Sequence, residues 1–525
     1  MELNLELLFL LSVLFISLFF FLNAAETSFL GDDEFGYFYG AKIFSEGKMK
    51  ILDIYEYPMA YPGIFFSLFN SILFLIFGQS LSIMKITSAF FGMLTLIMIY
   101  LTGKKISPLL GILSAATILS VYLFTHYMFL AYTDLVITFF SSLAIYLFLK
   151  LDNFKKSIFL GTILGISYYV KSSGLVISLF IFVYSLYRTI KEKNYKPIKF
   201  AMVSIAVSLL VLSPFLIRNI TSFNYPYFDI FNLFFKEQAT YHVGWPHWLE
   251  TQLNTVSPVK LSLFSILSAV GWTLLISSLF GFGWLTNYKS LDEKSKKLLS
   301  TSIFFILVFF LIFFITQITS LAALESRHMF IILPSLSIFS GFFLFKLKEK
   351  HKLLLTIIVV VIIVSLYQSV TTAITTSETE RFPQDHINAI NWIKTNTEPD
   401  DLIFTTYGGP LGYYGERFSI WASSACLGEE FPTIMTTTDG GYIKETLKEC
   451  DVSYILIWRQ TVAQDYIIPA SNLWGIYTYN FMNLVLTDTE NFLVVYSNEN
   501  NAVLKILYDD EKEPTLTNIT EIPFT

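Results

Sequence analysis

Charge is what this chain has least of. Asp, Glu, Lys and Arg make up 14% of its 525 residues, while 54% are hydrophobic. An ordinary soluble domain carries about 25% charged residues. At this length a water-soluble chain splits into several domains with polar surfaces, and so few charges cannot clothe them. A soluble enzyme of the usual kind is excluded, as is a disordered or nucleic-acid-binding chain. Cysteine is scarcer still: Cys426 and Cys450 are the only two. They support at most one disulfide, and two unrelated thiols are equally open. Internal repeats and low-complexity linkers are absent. What is abundant is aromatic: 53 Phe and 30 Tyr suit bilayer cores and interfacial belts. With a mean hydropathy of +0.58, this is the composition of a polytopic membrane protein.

Apolar runs long enough to cross a bilayer fall near 7–25, 82–101, 108–128, 132–149, 157–173, 174–187, 198–217, 262–286, 298–319, 329–345 and 353–372. The first has an acidic flank, Glu2 and Glu6, where a signal peptide needs positive charge, and it reads as a retained anchor. Residues 62–77 either span or lie in the interface. Eighteen Lys and Arg sit in alternate short loops, at 104–105, 150–156, 188–199, 289–297 and 346–352. By the positive-inside rule that face is cytoplasmic. The expectation is about eleven transmembrane helices, the N-terminus in the cytoplasm and the C-terminal part outside the plasma membrane.

The charge balance changes along the chain. Residues 378–525 hold eight Lys and Arg against twenty-two Asp and Glu, whereas 1–377 are mildly basic. The acidic tail reads as a soluble α/β domain. Residues 384–395 have a helical apolar face, and short β-rich runs follow at 402–406, 418–421, 454–458 and 492–496. The turn-rich segment 407–418 displays Tyr407, Tyr413, Tyr414 and Arg417, as sugar contacts or as a packed turn.

The face opposite the lysines collects the unusual residues. Asp134 begins an apolar run, Lys171 nearly ends one and Arg218 closes another; Arg327 and His328 interrupt a fourth. Ionisable groups at membrane depth are costly and usually mark function. The sharpest feature is Gly31-Asp32-Asp33-Glu34-Phe35-Gly36-Tyr37. Three adjacent carboxylates repel one another unless a cation, a proton or basic groups offset them, and one can serve as general base toward a hydroxyl. A solvated acidic loop is the plain reading. His242 and His247, among Trp245, Pro246 and Trp248, read as an interfacial aromatic loop rather than a metal pair, since Pro246 breaks any helix there.

Asp33-Glu34 with Tyr37 resembles the Asp-Glu motif of the GT-C membrane glycosyltransferases, in the branch of protein O-mannosyltransferases and the lipid A aminoarabinose transferase. Six further stretches follow in the family's order. Tyr61-Pro62-Gly63 resembles its "YPPL" element, and Lys85 lies where the family often has Arg. Ala131-Tyr132-Thr133-Asp134 resembles its second acidic site. Lys171-Ser172-Ser173-Gly174 resembles "TKPSG", and Pro214 to Asn219 resembles "PWLIRN". Arg327-His328 stands where Arg-Tyr is usual. The tail matches only loosely, and it has no Trp-Trp-Asp-type signature of the oligosaccharyltransferases.

The resemblance implies a GT-C transmembrane catalytic domain over 1–377, with 26–80 as first external loop and 62–77 interfacial, and an extracytoplasmic domain over 378–525. It implies an inverting transfer of sugar from a polyprenyl-phosphate donor to a hydroxyl of an outer acceptor: a protein, a lipid-linked glycan or a lipid. Asp33, Glu34 and Asp134 are then the catalytic carboxylates. Lys171, Arg218, Arg327 and Lys85 are the donor-phosphate ligands. Tyr37, Tyr61, His242, His247 and His328 are acceptor or sugar contacts. A divalent cation is left open. The alternative function is a secondary transporter or channel with an exported binding domain.

Overall fold

A bilayer leaves backbone amides no partner but their own helix, and the apolar runs of this chain fold accordingly. The structure, a computed structural model of the full chain, describes residues 32–47, 64–223, 271–283, 291–319, 326–379, 384–405, 411–420, 427, 430–458 and 480–508, with Phe15 and Phe19. The chain divides into two units. One comprises Met1–Ser28, Tyr61–Leu233 and Ser257–Glu380; the other comprises Phe29–Ala60, Phe234–Val256 and Arg381–Thr525.

The described secondary structure of the first unit is helical. Six helical stretches are long and apolar enough to cross a membrane: Leu81–Gly103, Gly174–Glu192, Lys196–Ile217, Glu293–Ile312, Met329–Lys348 and Leu353–Thr372. Pro108–Leu119 and Tyr122–Phe129 make a seventh if counted together, but they meet at a bend of 79°. The sequence pattern shows one uninterrupted run there. The helix breaks because Val121 is extended (φ −84°, ψ 114°). The Ser120 carbonyl, left outside the helix, accepts instead from Ser369 Oγ at 3.2 Å, which meets the demand that buried backbone groups be paired.

Ile64–Phe77 has 14 residues, about 21 Å of helix and too short for a hydrocarbon core of about 30 Å. Phe66, Asn70 and Phe74 are buried on one face, while Ile72, Leu75 and Ile76 are exposed on the other. Asn70 closes the contact with the next helix: its Oδ1 accepts from Thr87 Oγ1 at 2.8 Å.

The stretch Met329–Lys348, which includes most of the helix Leu333–Lys350, lies at the centre of this unit and is 89% buried. Small polar residues seam it to the helix Trp272–Gly283, as is usual where lipid supplies no hydrophobic drive between helices. Ser277 and Ser340 share a hydrogen bond of 2.6 Å, and Ser278 donates to the Leu336 carbonyl at 2.9 Å. The Leu353–Thr372 stretch is only 11% buried; its exposed Leu, Ile and Val side chains suit lipid.

The second unit is built on a five-stranded sheet of β1 (Leu402–Thr405), β2 (Phe418–Ile420), β3 (Val452–Trp458), β4 (Phe492–Ser497) and β5 (Asn501–Ile506), in the order β2-β1-β3-β5-β4. β1 runs parallel to β2 and β3, and β5 antiparallel to β3 and β4. The helix Gln384–Asn396 covers one face, packing Ala389, Ile390 and Ile393 on Ile403, Leu456, Trp458 and Val503. Gly440–Glu449 covers the other, packing Ile443 and Leu447 with Phe404, Ile455, Ile457 and Leu504. Cys450, at the end of that helix, is disulfide-bonded, and the sequence offers one partner, Cys426.

Candidate active site

Asp134 opens the helix Asp134–Leu149. A carboxylate suits that position, because the unpaired amides of a helix N-terminus carry about half a positive charge. The side chain is 1% exposed, so its charge requires a partner as well. Lys171 supplies it, with Nζ 2.7 Å from Asp134 Oδ1. Lys171 is the residue at which the helix Phe154–Val170 stops: its backbone turns extended (φ −162°, ψ 144°), while its amide still bonds to the Ser167 carbonyl. The chain then reverses through Ser172 and Ser173, with the Gly174 amide bonded to the Lys171 carbonyl at 2.9 Å. Gly174 fits this turn because a Cβ there would lie 2.5 Å from the Ser167 carbonyl oxygen. Asp134 Oδ2 is buried and has no hydrogen-bond partner among the described residues.

Three further elements close on this pair. The loop before Asp134 is tied to the helix Leu81–Gly103 by Ser88 Oγ donating to the Tyr132 carbonyl at 3.1 Å. Lys85 lies one turn earlier on that helix, with none of its surface exposed. The 3-10 helix Ser326–Ile332, whose backbone includes Arg327 and His328, docks on the first turns of Asp134–Leu149. Thr138 Oγ1 reaches the Phe330 carbonyl (3.4 Å), Ser141 Oγ reaches that of Ile331 (3.1 Å), and Phe330 packs on Tyr127 with ring centres 4.8 Å apart. The helix Lys196–Phe223 lies along Phe154–Val170. Tyr169, two residues before Lys171, donates to the Val211 carbonyl at 2.9 Å and meets Phe215 edge-on. Arg218 follows one turn later.

Pro214 lies inside that helix. Lacking an amide proton, it orphans the Leu210 carbonyl, and Ser213 Oγ donates to that carbonyl at 2.8 Å. The Ser-Pro pair therefore keeps the helix continuous into the turn that bears Arg218. Thr138, Ser141 and Ser213 are site-building residues that the sequence reading did not single out. Their signal is faint, since Ser and Thr are ordinary inside membrane helices.

The structure thus gathers the elements of Asp134, Lys171, Lys85, Arg218, Arg327 and His328 in one unit. Asp33, Glu34 and Tyr37 lie on the helix Asp32–Glu46, which belongs to the other unit. That helix begins at the acidic triplet Asp32-Asp33-Glu34 of the sequence. Glu34 is fully buried and Tyr37 half-buried. Tyr39 rests against Gly412, where a Cβ would lie 2.9 Å from the tyrosine ring. The side chains of Asp33, Arg218, Arg327 and His328 lie outside those described, as do Tyr61, His242 and His247 entirely.

Arg417 is spent on structure: its guanidinium donates to the carbonyls of Lys394 (2.8 Å) and Thr397 (2.7 Å), closing the end of the helix Gln384–Asn396. Tyr414 packs against the core beneath that helix. Among the described residues no three His, Cys, Asp or Glu gather to hold a metal. The Asp134 carboxylate is already neutralised by Lys171, so the described donors do not make a divalent-cation site.

Residues 62–217 match the family model described as dolichyl-phosphate-mannose-protein mannosyltransferase. No curated protein matches the chain. Among solved structures, ArnT from Cupriavidus metallidurans bound to undecaprenyl phosphate is 11% identical, with a TM-score of 0.62 over 97% of this chain and 99% of that one. The archaeal oligosaccharyltransferase AglB from Archaeoglobus fulgidus, in complex with an inhibitory peptide and a dolichol-phosphate, is 13% identical, with a TM-score of 0.58 over 89% of this chain and 71% of that one. At these identities the likeness is one of fold: the chain has the GT-C fold of membrane glycosyltransferases.

Proposed function

We propose that this GT-C-fold chain is an integral-membrane inverting glycosyltransferase, moving a sugar from a polyprenyl-phosphate donor to a hydroxyl of an extracytoplasmic acceptor. The acceptor is a protein, a lipid-linked glycan or a lipid. Residues 1–377 form its transmembrane catalytic domain in the cell membrane, with the N-terminus cytoplasmic, and 378–525 its outer domain. The observation that carries this reading is the Asp134–Lys171 pair, buried where the elements of Lys85, Arg218 and Arg327 converge. One carboxylate oxygen is neutralised and the other is left open.

Asp33 acts as general base. It takes the proton of the acceptor hydroxyl as that oxygen attacks the anomeric carbon. The bond from the anomeric carbon to the donor phosphate oxygen breaks on the opposite side, and polyprenyl phosphate departs with the electron pair. A single displacement inverts the anomeric configuration. Lys171, Arg218, Arg327 and Lys85 stabilise the charge that grows on the leaving phosphate; Lys171 uses one of its three donors on Asp134 and keeps the others for phosphate. Asp134 Oδ2 and Glu34 orient the acceptor, with Tyr37, Tyr61, His242, His247 and His328 around the sugar.

The test is transfer from labelled donor lipid by the purified protein. Asp33→Asn lowers the rate by about 10²–10⁴-fold, the usual contribution of a positioned base, while its thermal unfolding stays that of the wild type. Full activity in that variant sinks the assignment.

A further inference from the structure

The opposite end of the Asp134–Leu149 helix carries a second cluster that the proposed transfer does not use. Three lysines from three segments crowd its C-terminal turn. Lys105, just beyond Leu81–Gly103, places Nζ 3.5 Å from the Tyr146 carbonyl and 4.9 Å from that ring's centre. Lys150 stands over the same ring at 4.3 Å and donates to its hydroxyl. Lys297, from Glu293–Thr319, donates to the Leu149 carbonyl at 2.9 Å.

Capping a helix end accounts for part of this charge only. A helix C-terminus offers about half a negative charge, so three ammonium groups leave a surplus of roughly two and a half positive charges. The nearest carboxylates are already committed, Asp152 to Lys156 at 2.6 Å and Glu192 to Arg188 at 2.7 Å. Among the described residues no carboxylate lies within salt-bridge distance of Lys105, Lys150 or Lys297. Burial, then repulsion from Lys150, Lys297 and Lys156, holds the Lys105 ammonium down to about 8. Beside the cluster, Phe154, Ile158 and Phe159 expose apolar surface on the first turns of the next helix, as an acyl chain requires.

We infer that Lys105, Lys150 and Lys297 bind the phosphate headgroup of an anionic phospholipid in the leaflet at that end of the bundle. Basic pockets between the ends of membrane helices suit such headgroups. Mono-anionic phosphatidylglycerol is the probe.

The purified full-length protein is titrated with phosphatidylglycerol, and with phosphatidylcholine as control, and bound lipid is counted by native mass spectrometry. The wild type retains phosphatidylglycerol in preference to phosphatidylcholine. Each Lys→Gln change weakens retention about fivefold, the worth of one lysine at a charged membrane surface. The charge-conserving pair Lys105→Arg with Lys150→Arg retains it, which separates loss of charge from loss of fold; Lys297→Gln serves if the glutamine pair does not express. Equal retention of both lipids, or undiminished retention after Lys105→Gln with Lys150→Gln, overturns the inference. So does displacement by millimolar inorganic phosphate, which would mark a site for a soluble anion.

Discussion

Asp134 and Lys171 stand 37 residues apart in the chain and 2.7 Å apart in space. Both were legible in the sequence as ionisable groups at the ends of apolar runs; their pairing was not, because it depends on how two helices lie side by side. Removing one partner leaves the other charged and desolvated, which typically costs 3–5 kcal/mol for a buried pair. Lys171 keeps some exposure, so the lower end applies. Asp134→Asn and Lys171→Met should therefore each lower the unfolding midpoint. Their double variant should lose less than the two together, with a coupling of about 1–3 kcal/mol in a double-mutant cycle. Additive losses would show that the pair is incidental. His386 is a second residue whose role appears only in the fold. Its Nδ1 meets Asn501 Oδ1 at 2.5 Å, and its ring stands edge-on to Trp458. Burial holds the imidazole below the ordinary histidine range, with Asn501 and Asp385 pulling weakly upward. The unfolded chain thus takes the proton first as pH falls. The stability held by neutral His386 is complete above about pH 6.5 and is lost as pH drops below that value. Hydrogen exchange of the β3 and β5 amides, corrected for intrinsic rate, should show protection falling from pH 7.5 to 5.5, with a flatter response in His386→Gln.

Among the elements, those with a clean period were readable. The helix 384–395 and the strands near 402, 418, 454 and 492 all form within a few residues of their expected ends. β5, at 501–506, gave no signal. It lies between β3 and β4 with Ala502, Val503 and Leu504 all buried, so its sides do not alternate between core and water. The bend after Leu119 was hidden for a related reason: apolar residues continue through it, and only a distant hydroxyl, Ser369, shows how the freed carbonyl is satisfied. The turn at Lys171–Gly174 makes the sharpest prediction at this scale. Gly174→Val places a Cβ against the backbone of the preceding helix, not against a movable side chain. Overpacking of this kind costs about 1–3 kcal/mol. It should lower the unfolding midpoint and also weaken transfer, because Lys171 hangs on the same turn. A wild-type midpoint in that variant would mean the two helices part without cost.

At the scale of the whole molecule, the scarcity of charge becomes a map. The apolar majority builds a helical unit with at least six helices able to cross a bilayer. Lysines crowd one end of that unit, and the Asp134–Lys171 pair occupies the other. The acidic residues concentrate in the sheet-bearing unit, which also holds the helix that starts at the Asp-Glu motif. In the sequence, the motifs pointed to one reaction because of their order along the chain; the division of their residues between two units is a property of packing that linear order does not carry. Sugar transfer from a lipid-borne donor with Asp33 as base is put to the test by mass spectrometry of lipid-linked glycans and surface glycoproteins. The comparison is among cells with the gene deleted, restored, or restored as Asp33→Asn. The deletion should leave one species lacking a single sugar, returned by the wild type and not by Asp33→Asn. Unchanged spectra on deletion, or full restoration by Asp33→Asn, would contradict it.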